Sequence, residues 1–198
     1  QPNYRGFEYL VRELVDSGYV ALSLNINAEN TLGFGEPVPG ERLGQLFDLH
    51  MRALAMAAGG GENAFGVDLS GRADLQHVVL MGHSRGGEAA THAAAMNTKF
   101  YYPIDKVAEK GEFGFGIRAV VGIAPPDGQY RPGGKAESLT DISYLGLYGG
   151  HDQDLFWAAP VQQYNRVTFE DDPQAFKATA LVYRANHGQF NTVWGDSD

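Results

Sequence analysis

The sequence stretch His77-Val78-Val79-Leu80-Met81-Gly82-His83-Ser84-Arg85-Gly86-Gly87-Glu88-Ala89-Ala90 decides the fold of this chain. The apolar run from Val78 to Met81 is typical of a buried strand, and the alanine-rich segment after Glu88 favours a helix. Between them, Gly82-His83-Ser84-Arg85-Gly86 fits the pattern G-x-S-x-G, which marks a sharp strand-to-helix turn with a serine at its tip. The stretch therefore predicts a strand, a nucleophile elbow and a helix.

The chemistry of acyl transfer explains this spacing. A serine at the tip of such a turn is held in a strained backbone conformation, and small residues two positions to either side let the strand and the helix approach closely. The serine oxygen then projects into a cleft, where the next backbone N–H points at the site of a developing oxyanion. We therefore interpret Ser84 as a catalytic nucleophile rather than an idle serine in a glycine-rich turn.

Length and composition are those of one globular domain over residues 1–198. Hydrophobic residues make up 43% of the chain and charged residues 20%, which is ordinary for such a domain. The formal net charge of −9 argues against binding to nucleic acid or to an anionic membrane surface. No apolar run is long enough to span a bilayer. The chain has no cysteine, which excludes disulfides, thiol nucleophiles and thiolate metal sites and is compatible with either redox compartment.

Buried apolar runs alternate along the chain with amphipathic segments. Strands are predicted at 19–26, 77–82, 117–124, 143–149 and 176–183. Helices are predicted over 5–17, 42–58, the alanine-rich segment after Ser84, 155–165 and 189–194. The segments 27–41, 59–73 and 97–116 are predicted to be loops or irregular structure. This alternation predicts an α/β fold with a mostly parallel sheet, right-handed crossovers and helices on both faces.

An activated serine needs a base, and the base needs a group that orients it. In parallel sheets, functional groups collect beyond the carboxyl ends of the strands. Asp152, just after the strand at 143–149, is the favoured orienting carboxylate, and Asp154 is the close alternative. Asp127, after the strand at 117–124, is a third candidate. Any of them could instead be a turn residue bonded to its own backbone.

His187 is the favoured base, because it follows the last predicted strand in a short loop between an asparagine and a glycine. The chain order Ser84, Asp152, His187 then matches the Ser…Asp…His order of this fold class. His151 is a weaker second choice. His83, directly before the serine, is expected to shape the substrate pocket rather than act as base. The other histidines fall within helices or at a strand start: His50, His77 and His92.

Three motifs together resemble the α/β-hydrolase superfamily: Gly82–Gly87, Gly149–Asp152 and Asn186–Gly188. Within it, the chain is most similar to cutinase/polyester-hydrolase, chlorophyllase and platelet-activating-factor acetylhydrolase-like esterases, with dienelactone hydrolases nearby. The resemblance extends from the helix at 5–17 to Trp194.

The resemblance implies a role for each of these residues. Ser84 would be the nucleophile, His187 the general base and then the general acid, and Asp152 the orienting group. The backbone N–H of Arg85 would be one oxyanion donor. The substrate would be a small-molecule or polymeric ester, whose acyl group passes to water through an acyl-enzyme with no metal or organic cofactor.

The chain departs from the family pattern at both ends. In the family, a loop after the third strand supplies the second oxyanion N–H and precedes the first large helix. Here that helix is the one at 5–17, so we expect the loop and the three strands before it to be missing. The last residues, Trp194-Gly195-Asp196-Ser197-Asp198, stop before the family's C-terminal helix. The expectation is an N-terminally truncated α/β-hydrolase domain that a missing segment would complete.

Aromatic residues in irregular segments are candidates for the substrate pocket. Trp157, just past the acid loop, and His83 are the predicted substrate-binding residues. The other candidates, each more often a packing residue, are Phe34, Tyr101, Tyr102, Phe113, Phe115 and Phe156. The carboxylates near Asp152 could bind a calcium ion, but we expect a solvated acidic surface and no metal. These carboxylates are Asp154, Glu170, Asp171 and Asp172.

Three functions are compatible with these patterns. The favoured one is a serine esterase, and the others are a serine peptidase of the same fold and a non-catalytic binding protein with a relic site. A peptidase should carry an anchor for a peptide terminus, and none is recognisable in the sequence. The intact set of Ser84, Asp152 and His187 argues against a relic.

Overall fold

A computed structural model describes residues 2–27, 39–97, 115–131, 134–155 and 159–195, which contain both helices and strands. The helices are α1 (Glu8–Asp16), α2 (Pro39–Ala58), α3 (Arg85–Met96) and α4 (Ala159–Arg166). The strands are β1 (Val78–His83), β2 (Ile117–Ile123), β3 (Ser143–Gly149) and β4 (Lys177–Val182). Within the described ranges, short 3-10 helices are formed by Asn3–Phe7 and Gly188–Phe190.

The strands of the described residues form one parallel sheet in the order β1-β2-β3-β4. Parallel strands end at a common edge of the sheet, so the segments after β1, β3 and β4 lie along one edge. Ser84 follows β1, Asp152 follows β3, and His187 follows β4. The predicted α/β class with a parallel sheet is therefore confirmed, and its topology brings the three predicted catalytic segments to the same edge.

The main core lies on one face of this sheet. Leu80, Val120 and Tyr144 occupy neighbouring positions in the strand register and are all buried. Helix α3 packs on them through small side chains such as that of Ala90, and α4 reaches the same cluster through Tyr164. The alanine-rich composition after Ser84 thus serves close packing of α3 on the sheet.

A row of glycines crosses the sheet under the start of α3. Gly82, Gly122 and Gly146 are adjacent in the register. A Cβ at Gly122 would lie 2.9 Å from Pro125 and 3.1 Å from the Tyr144 hydroxyl. A Cβ at Gly82 would overlap the carbonyl oxygen of Gly86 in α3, so a larger residue at Gly82 would push α3, and with it the turn that carries Ser84, away from the strand.

The opposite face of the sheet is less covered. Val79 of β1 is exposed, and so are the consecutive residues Ala180, Leu181 and Val182 of β4. The main core therefore lies on one face, and helices on both faces stay a prediction. None of the helices in the described part of the chain is both long and apolar enough to cross a membrane.

The predicted strand at 19–26 is wrong. These residues belong to no strand of the described structure, and Tyr19 and Val20 are 59% and 42% exposed. A strand needs a neighbour that pairs with its backbone N–H and C=O groups, and an apolar run alone does not supply one. Ser23 Oγ donates instead to the carbonyl oxygen of Tyr4 at 2.7 Å, which ties the segment to the first 3-10 helix.

The other predicted elements agree with the structure within a few residues. Each of the four remaining strands is shifted or shortened by one or two residues at most. The predicted helix at 5–17 is divided into a 3-10 helix and α1, and α2 begins at Pro39 rather than at residue 42. The predicted helix at 189–194 is only the short 3-10 helix Gly188–Phe190. Most of the predicted loops at 27–41 and 97–116 lies outside the described residues.

Candidate active site

Ser84 has a backbone conformation that residues other than glycine rarely adopt. Its φ is 54° and its ψ is −132°, and it lies at the turn between β1 and α3. A Cβ at Gly82 would overlap the carbonyl oxygen of Gly86, so strand and helix touch at this turn. Gly86 itself has no neighbouring atom within 4 Å of such a Cβ. Residues held with this kind of strain occur mostly at functional sites, which agrees with the predicted nucleophile elbow.

Arg85 is the first residue of α3. The first N–H groups of an α-helix have no carbonyl partner within the helix, and the helix dipole adds positive charge there. The backbone N–H of Arg85 therefore lies where an anion next to Ser84 would be stabilised. This placement suits the predicted oxyanion donor.

Asp152 and His187 are brought together by the ends of β3 and β4. His187 Nδ1 lies 2.8 Å from Asp152 Oδ2, and the side chains are 1% and 6% exposed. Because the carboxylate accepts this hydrogen bond, Nδ1 carries the proton and the neutral imidazole keeps its lone pair on Nε2. An imidazole in this tautomer is prepared to take a proton at Nε2.

The Asp152 carboxylate is itself held in place by its own turn. Its second oxygen, Oδ1, accepts the backbone N–H of Asp154 at 3.0 Å and of Leu155 at 3.1 Å. These bonds fix the side-chain rotamer of Asp152, so Oδ2 stays directed at His187.

Backbone contacts join the loop after β3 directly to the loop after β4. The N–H of His151 donates to the carbonyl oxygen of Ala185 at 2.9 Å. A Cβ at Gly149 would overlap this same carbonyl oxygen, so only glycine allows the two loops to approach this closely. His151, the weaker candidate base, is exposed and serves this contact through its backbone.

The His187 turn is closed by two reciprocal side-chain bonds. Asn186 Oδ1 accepts the N–H of Gln189 at 2.9 Å, and Gln189 Oε1 accepts the N–H of Asn186 at 3.0 Å. This arrangement satisfies backbone donors around the 3-10 helix that follows His187, in the manner of a capping box. It holds the backbone of the candidate base in one conformation.

The two alternative acids lie in different environments. Asp154 Oδ2 is 3.4 Å from His187 Nε2, and its side chain is 60% exposed. Asp127 forms a two-pronged ion pair with the guanidinium of Arg166. The structure thus places Asp152 and Asp154 beside His187 and gives Asp127 a different partner, with Asp152 the buried member that contacts Nδ1.

The connection between the Ser84 turn and the His187 loop is made by His83. Its Nε2 lies 2.9 Å from the carbonyl oxygen of His187, and the two imidazole centroids are 4.8 Å apart. Among the hydrogen bonds of the described residues, none joins Ser84 Oγ to His187 Nε2. The two candidate catalytic segments are linked by this hydrogen bond from the residue that precedes the serine.

Aromatic rings surround His83. Phe7, Phe190 and Trp194 have ring centroids 5.7 Å, 6.4 Å and 5.1 Å from that of His83. Burial among these rings, followed by the nearby His187, lowers the pKa of His83 to about 4. His83 is therefore neutral near pH 7, and its predicted role in substrate binding stays a prediction.

Most predicted pocket residues lie outside the described part of the chain. These are Trp157, Phe34, Tyr101, Tyr102, Phe113 and Phe156. Phe115 is described, but it precedes β2 and so lies at the amino edge of the sheet. There it lines a small cavity with Phe47 and Met51, so the expectation that it lines the substrate site is wrong.

The expectation that Glu170, Asp171 and Asp172 lie near Asp152 is wrong, because they surround Asp141, which precedes β3 and so lies at the opposite edge of the sheet. Among the described residues, no group of histidine and acidic side chains could hold a metal ion. The backbone N–H groups of Glu170, Asp171 and Asp172 all donate to Asp141 Oδ1, at 2.8 to 3.1 Å. These three residues thus form a turn around another carboxylate, and their own side chains are mostly solvent-facing.

Sequence reasoning missed the residues that hold the His187 loop from the amino terminus. Trp194 Nε1 donates to Asn3 Oδ1 at 2.9 Å, and Asn191 Nδ2 donates to the Asn3 carbonyl oxygen at 3.1 Å. The N–H of Thr192 donates to the carbonyl oxygen of Gly6 at 3.0 Å. The only sequence signal for these contacts is the presence of the apolar residues Phe190, Val193 and Trp194 after His187, which predicts that this segment packs against another part of the chain.

No protein-family model matches the chain, and no curated protein matches it either.

Proposed function

We propose that this protein is a serine hydrolase that cleaves carboxylic esters. One observation carries the proposal: a buried pair of Asp152 and His187, with Nδ1 and Oδ2 2.8 Å apart, lies at the same sheet edge as the strained Ser84 turn. A nucleophile on a sharp turn, a base of fixed tautomer and a carboxylate that fixes it are the parts of acyl transfer.

Each residue has a defined part in the proposed reaction. Ser84 Oγ attacks the carbonyl carbon of the ester while His187 Nε2 takes the hydroxyl proton. The backbone N–H of Arg85 stabilises the oxyanion of the tetrahedral intermediate. His187 then gives its proton to the departing alcohol, and Asp152 stabilises the imidazolium that exists between these two proton transfers.

Hydrolysis of the acyl-enzyme repeats these steps with water. His187 Nε2 takes a proton from the water that attacks the acyl carbon, and it returns this proton to Ser84 Oγ as the tetrahedral intermediate breaks its bond to the serine and releases the carboxylic acid. Both halves require Nε2 to reach Ser84 Oγ to about 3 Å. Catalytic hydrogen bonds in free enzymes are often long and shorten when substrate binds, so we expect this contact to form in the substrate complex.

The acyl-transfer step rests on the geometry, and the choice of an ester bond rests on the resemblance to cutinase-like and related esterases. A small-molecule or polymeric ester is the proposed substrate, with Trp157 and His83 as the predicted substrate-binding residues. The proposed mechanism uses only side chains and backbone groups of this chain.

The test compares p-nitrophenyl esters with p-nitroanilides of the same acyl group. We expect turnover of the ester and a loss of about 10⁴-fold or more in kcat for Ser84→Ala. Ser70→Ala is the matched control, because Ser70 is exposed in the loop before β1, and it should keep wild-type turnover. Faster cleavage of the anilides would favour a peptidase. A folded wild-type protein without turnover of either substrate would contradict the proposal.

A further inference from the structure

His83 lies between the two catalytic segments. It is the residue directly before Ser84, and its Nε2 is 2.9 Å from the backbone carbonyl oxygen of His187. A carbonyl oxygen only accepts hydrogen bonds, so Nε2 of His83 carries the proton and donates it. One short side chain therefore joins the nucleophile turn to the backbone of the base.

The surroundings of His83 hold this ring in one orientation. Its centroid is 4.8 Å from that of His187, 5.1 Å from that of Trp194 and 5.7 Å from that of Phe7. Trp194 is itself fixed by the hydrogen bond of its Nε1 to Asn3 Oδ1 at 2.9 Å. A ring packed on several sides keeps its rotamer, and so the donor on Nε2 keeps its direction.

The geometry points to His83 as a positioning residue that sets the distance and orientation of His187 relative to Ser84. This inference rests on the proposed function, since it concerns the same proton transfer. It also differs from the pocket role expected from the sequence. His83 would act on the rate of chemistry through His187, and only weakly on the affinity for the ester.

A neutral donor is required at this position. His187 becomes an imidazolium during each proton transfer, and a second positive charge on the adjacent ring would oppose that step. Burial and the nearby His187 keep His83 uncharged, although the carboxylates of Asp152 and Asp154 oppose this effect. His83 thus donates a hydrogen bond to the backbone of His187 without adding a positive charge that would destabilise the His187 imidazolium.

The test replaces His83 in the full chain and separates kcat from KM. His83→Phe keeps a ring in the aromatic group but removes the N–H donor, while His83→Gln restores an amide N–H. We expect His83→Phe to lower kcat on p-nitrophenyl butyrate by ~10 to 100-fold, because small displacements of catalytic groups have costs of this size. KM should stay within about 3-fold for acetate, butyrate and hexanoate esters, and His83→Gln should recover most of the lost kcat.

His77→Gln is the control, because His77 is an exposed histidine that pairs with Asp74 far from the sheet edge that carries Ser84. Thermal unfolding of each variant shows that it is folded. Where His83→Phe does not fold, His83→Asn replaces it, since its shorter side chain cannot reach the His187 carbonyl and should show the same loss of kcat.

Two outcomes overturn the inference. One is a folded variant without the N–H donor that keeps wild-type kcat. The other is a rise in KM that varies with acyl length at constant kcat, which would assign His83 to the substrate pocket. Failure of the proposed function looks different, because the wild-type protein itself would then turn over no ester.

Discussion

Asp152 uses its two carboxylate oxygens for different partners. Oδ1 accepts two backbone N–H groups of its own turn, and Oδ2 contacts His187 Nδ1. In Asp152→Asn, the amide oxygen can keep the turn, but the NH₂ group then faces Nδ1 and favours the wrong imidazole tautomer. We expect kcat/KM for an ester to fall by ~10³ to 10⁴-fold with little change in the thermal midpoint.

Asp154→Asn is the matched control for this experiment. The Asp154 side chain is 60% exposed and lies 3.4 Å from Nε2, the other nitrogen of His187. Solvent screens such a contact, so the change in kcat/KM should be about 3-fold or less. A larger loss from Asp154→Asn than from Asp152→Asn would identify Asp154 as the orienting acid.

The two glycines of the G-x-S-x-G pattern differ in the space around them. A Cβ at Gly82 would overlap the carbonyl oxygen of Gly86, whereas a Cβ at Gly86 would meet no atom within 4 Å. We expect Gly82→Ala to lower the free energy of unfolding by about 3 kcal/mol because the strand and the helix must separate. Gly86→Ala should change it by less than about 1 kcal/mol. Equal destabilisation in denaturant titrations would show that the close approach is not where the structure places it.

At the residue scale, the sequence identified the candidates but not their contacts. Ser84, Asp152 and His187 each follow a buried strand, and parallel strands end at one edge, so their meeting was predictable. The sequence could not decide between Asp152 and Asp154 as the partner of His187, because both lie in one turn and the turn geometry alone decides which side chain is directed at the imidazole. His83 contacts Phe7 near the start of the sequence and Trp194 near its end. Contacts between residues so far apart in sequence leave no local pattern that could predict them.

Among the elements, the 3-10 helix at Asn3–Phe7 supports the His187 loop. A Cβ at Gly6 would overlap the side chain of Asn191, which is 1% exposed. Gly6→Ala should therefore push Asn191 and the loop before it away, which lowers the thermal midpoint and reduces kcat by ~10-fold or more. Gly59→Ala is the control. Gly59 is exposed in the turn after α2, and the atom nearest to its added Cβ would be the Ala55 carbonyl oxygen at 3.3 Å. An unchanged kcat in folded Gly6→Ala would separate this element from the site.

Whether a predicted strand forms depends on whether another strand lies beside it and pairs with its backbone. β1 to β3 combine an apolar run that is at least partly buried with a nearby turn signal, and all four strands agree with the prediction to within two residues. The run at 19–26 has the same composition but no paired neighbour in the described structure. Pairing is a long-range property, so composition alone cannot distinguish these cases.

For the whole molecule, two buried groups act on stability in opposite directions with pH. His83 has a pKa of about 4 in the folded protein and 6.5 as the ordinary value. Between these values the unfolded chain binds more protons, so stability falls as the pH drops from about 6.5 to 4. Glu88 has a pKa of about 7 against an ordinary 4.5, because burial outweighs the hydrogen bond from the N–H of Gly128. Its contribution is lost as the pH rises from about 4.5 to 7.

Removing either group should therefore unbalance the pH profile of the free energy of unfolding. Glu88→Gln should make stability rise more steeply with pH between 4.5 and 7 than in the wild-type protein. His83→Phe should make it rise less steeply between 4 and 6.5. Each difference should reach about 3 kcal/mol across its window. Urea titrations at a series of pH values measure it, and parallel profiles for the wild-type protein and both variants would contradict the assignment.

The most direct test of the central claim, that Ser84 is a nucleophile activated by His187, is reaction with a fluorophosphonate probe read by intact mass and peptide mapping. We expect one adduct per chain on Ser84, none in Ser84→Ala, a wild-type rate in Ser70→Ala and a strongly reduced rate in His187→Ala. A folded wild-type protein that takes up no probe, or takes it up on another residue, would contradict the account.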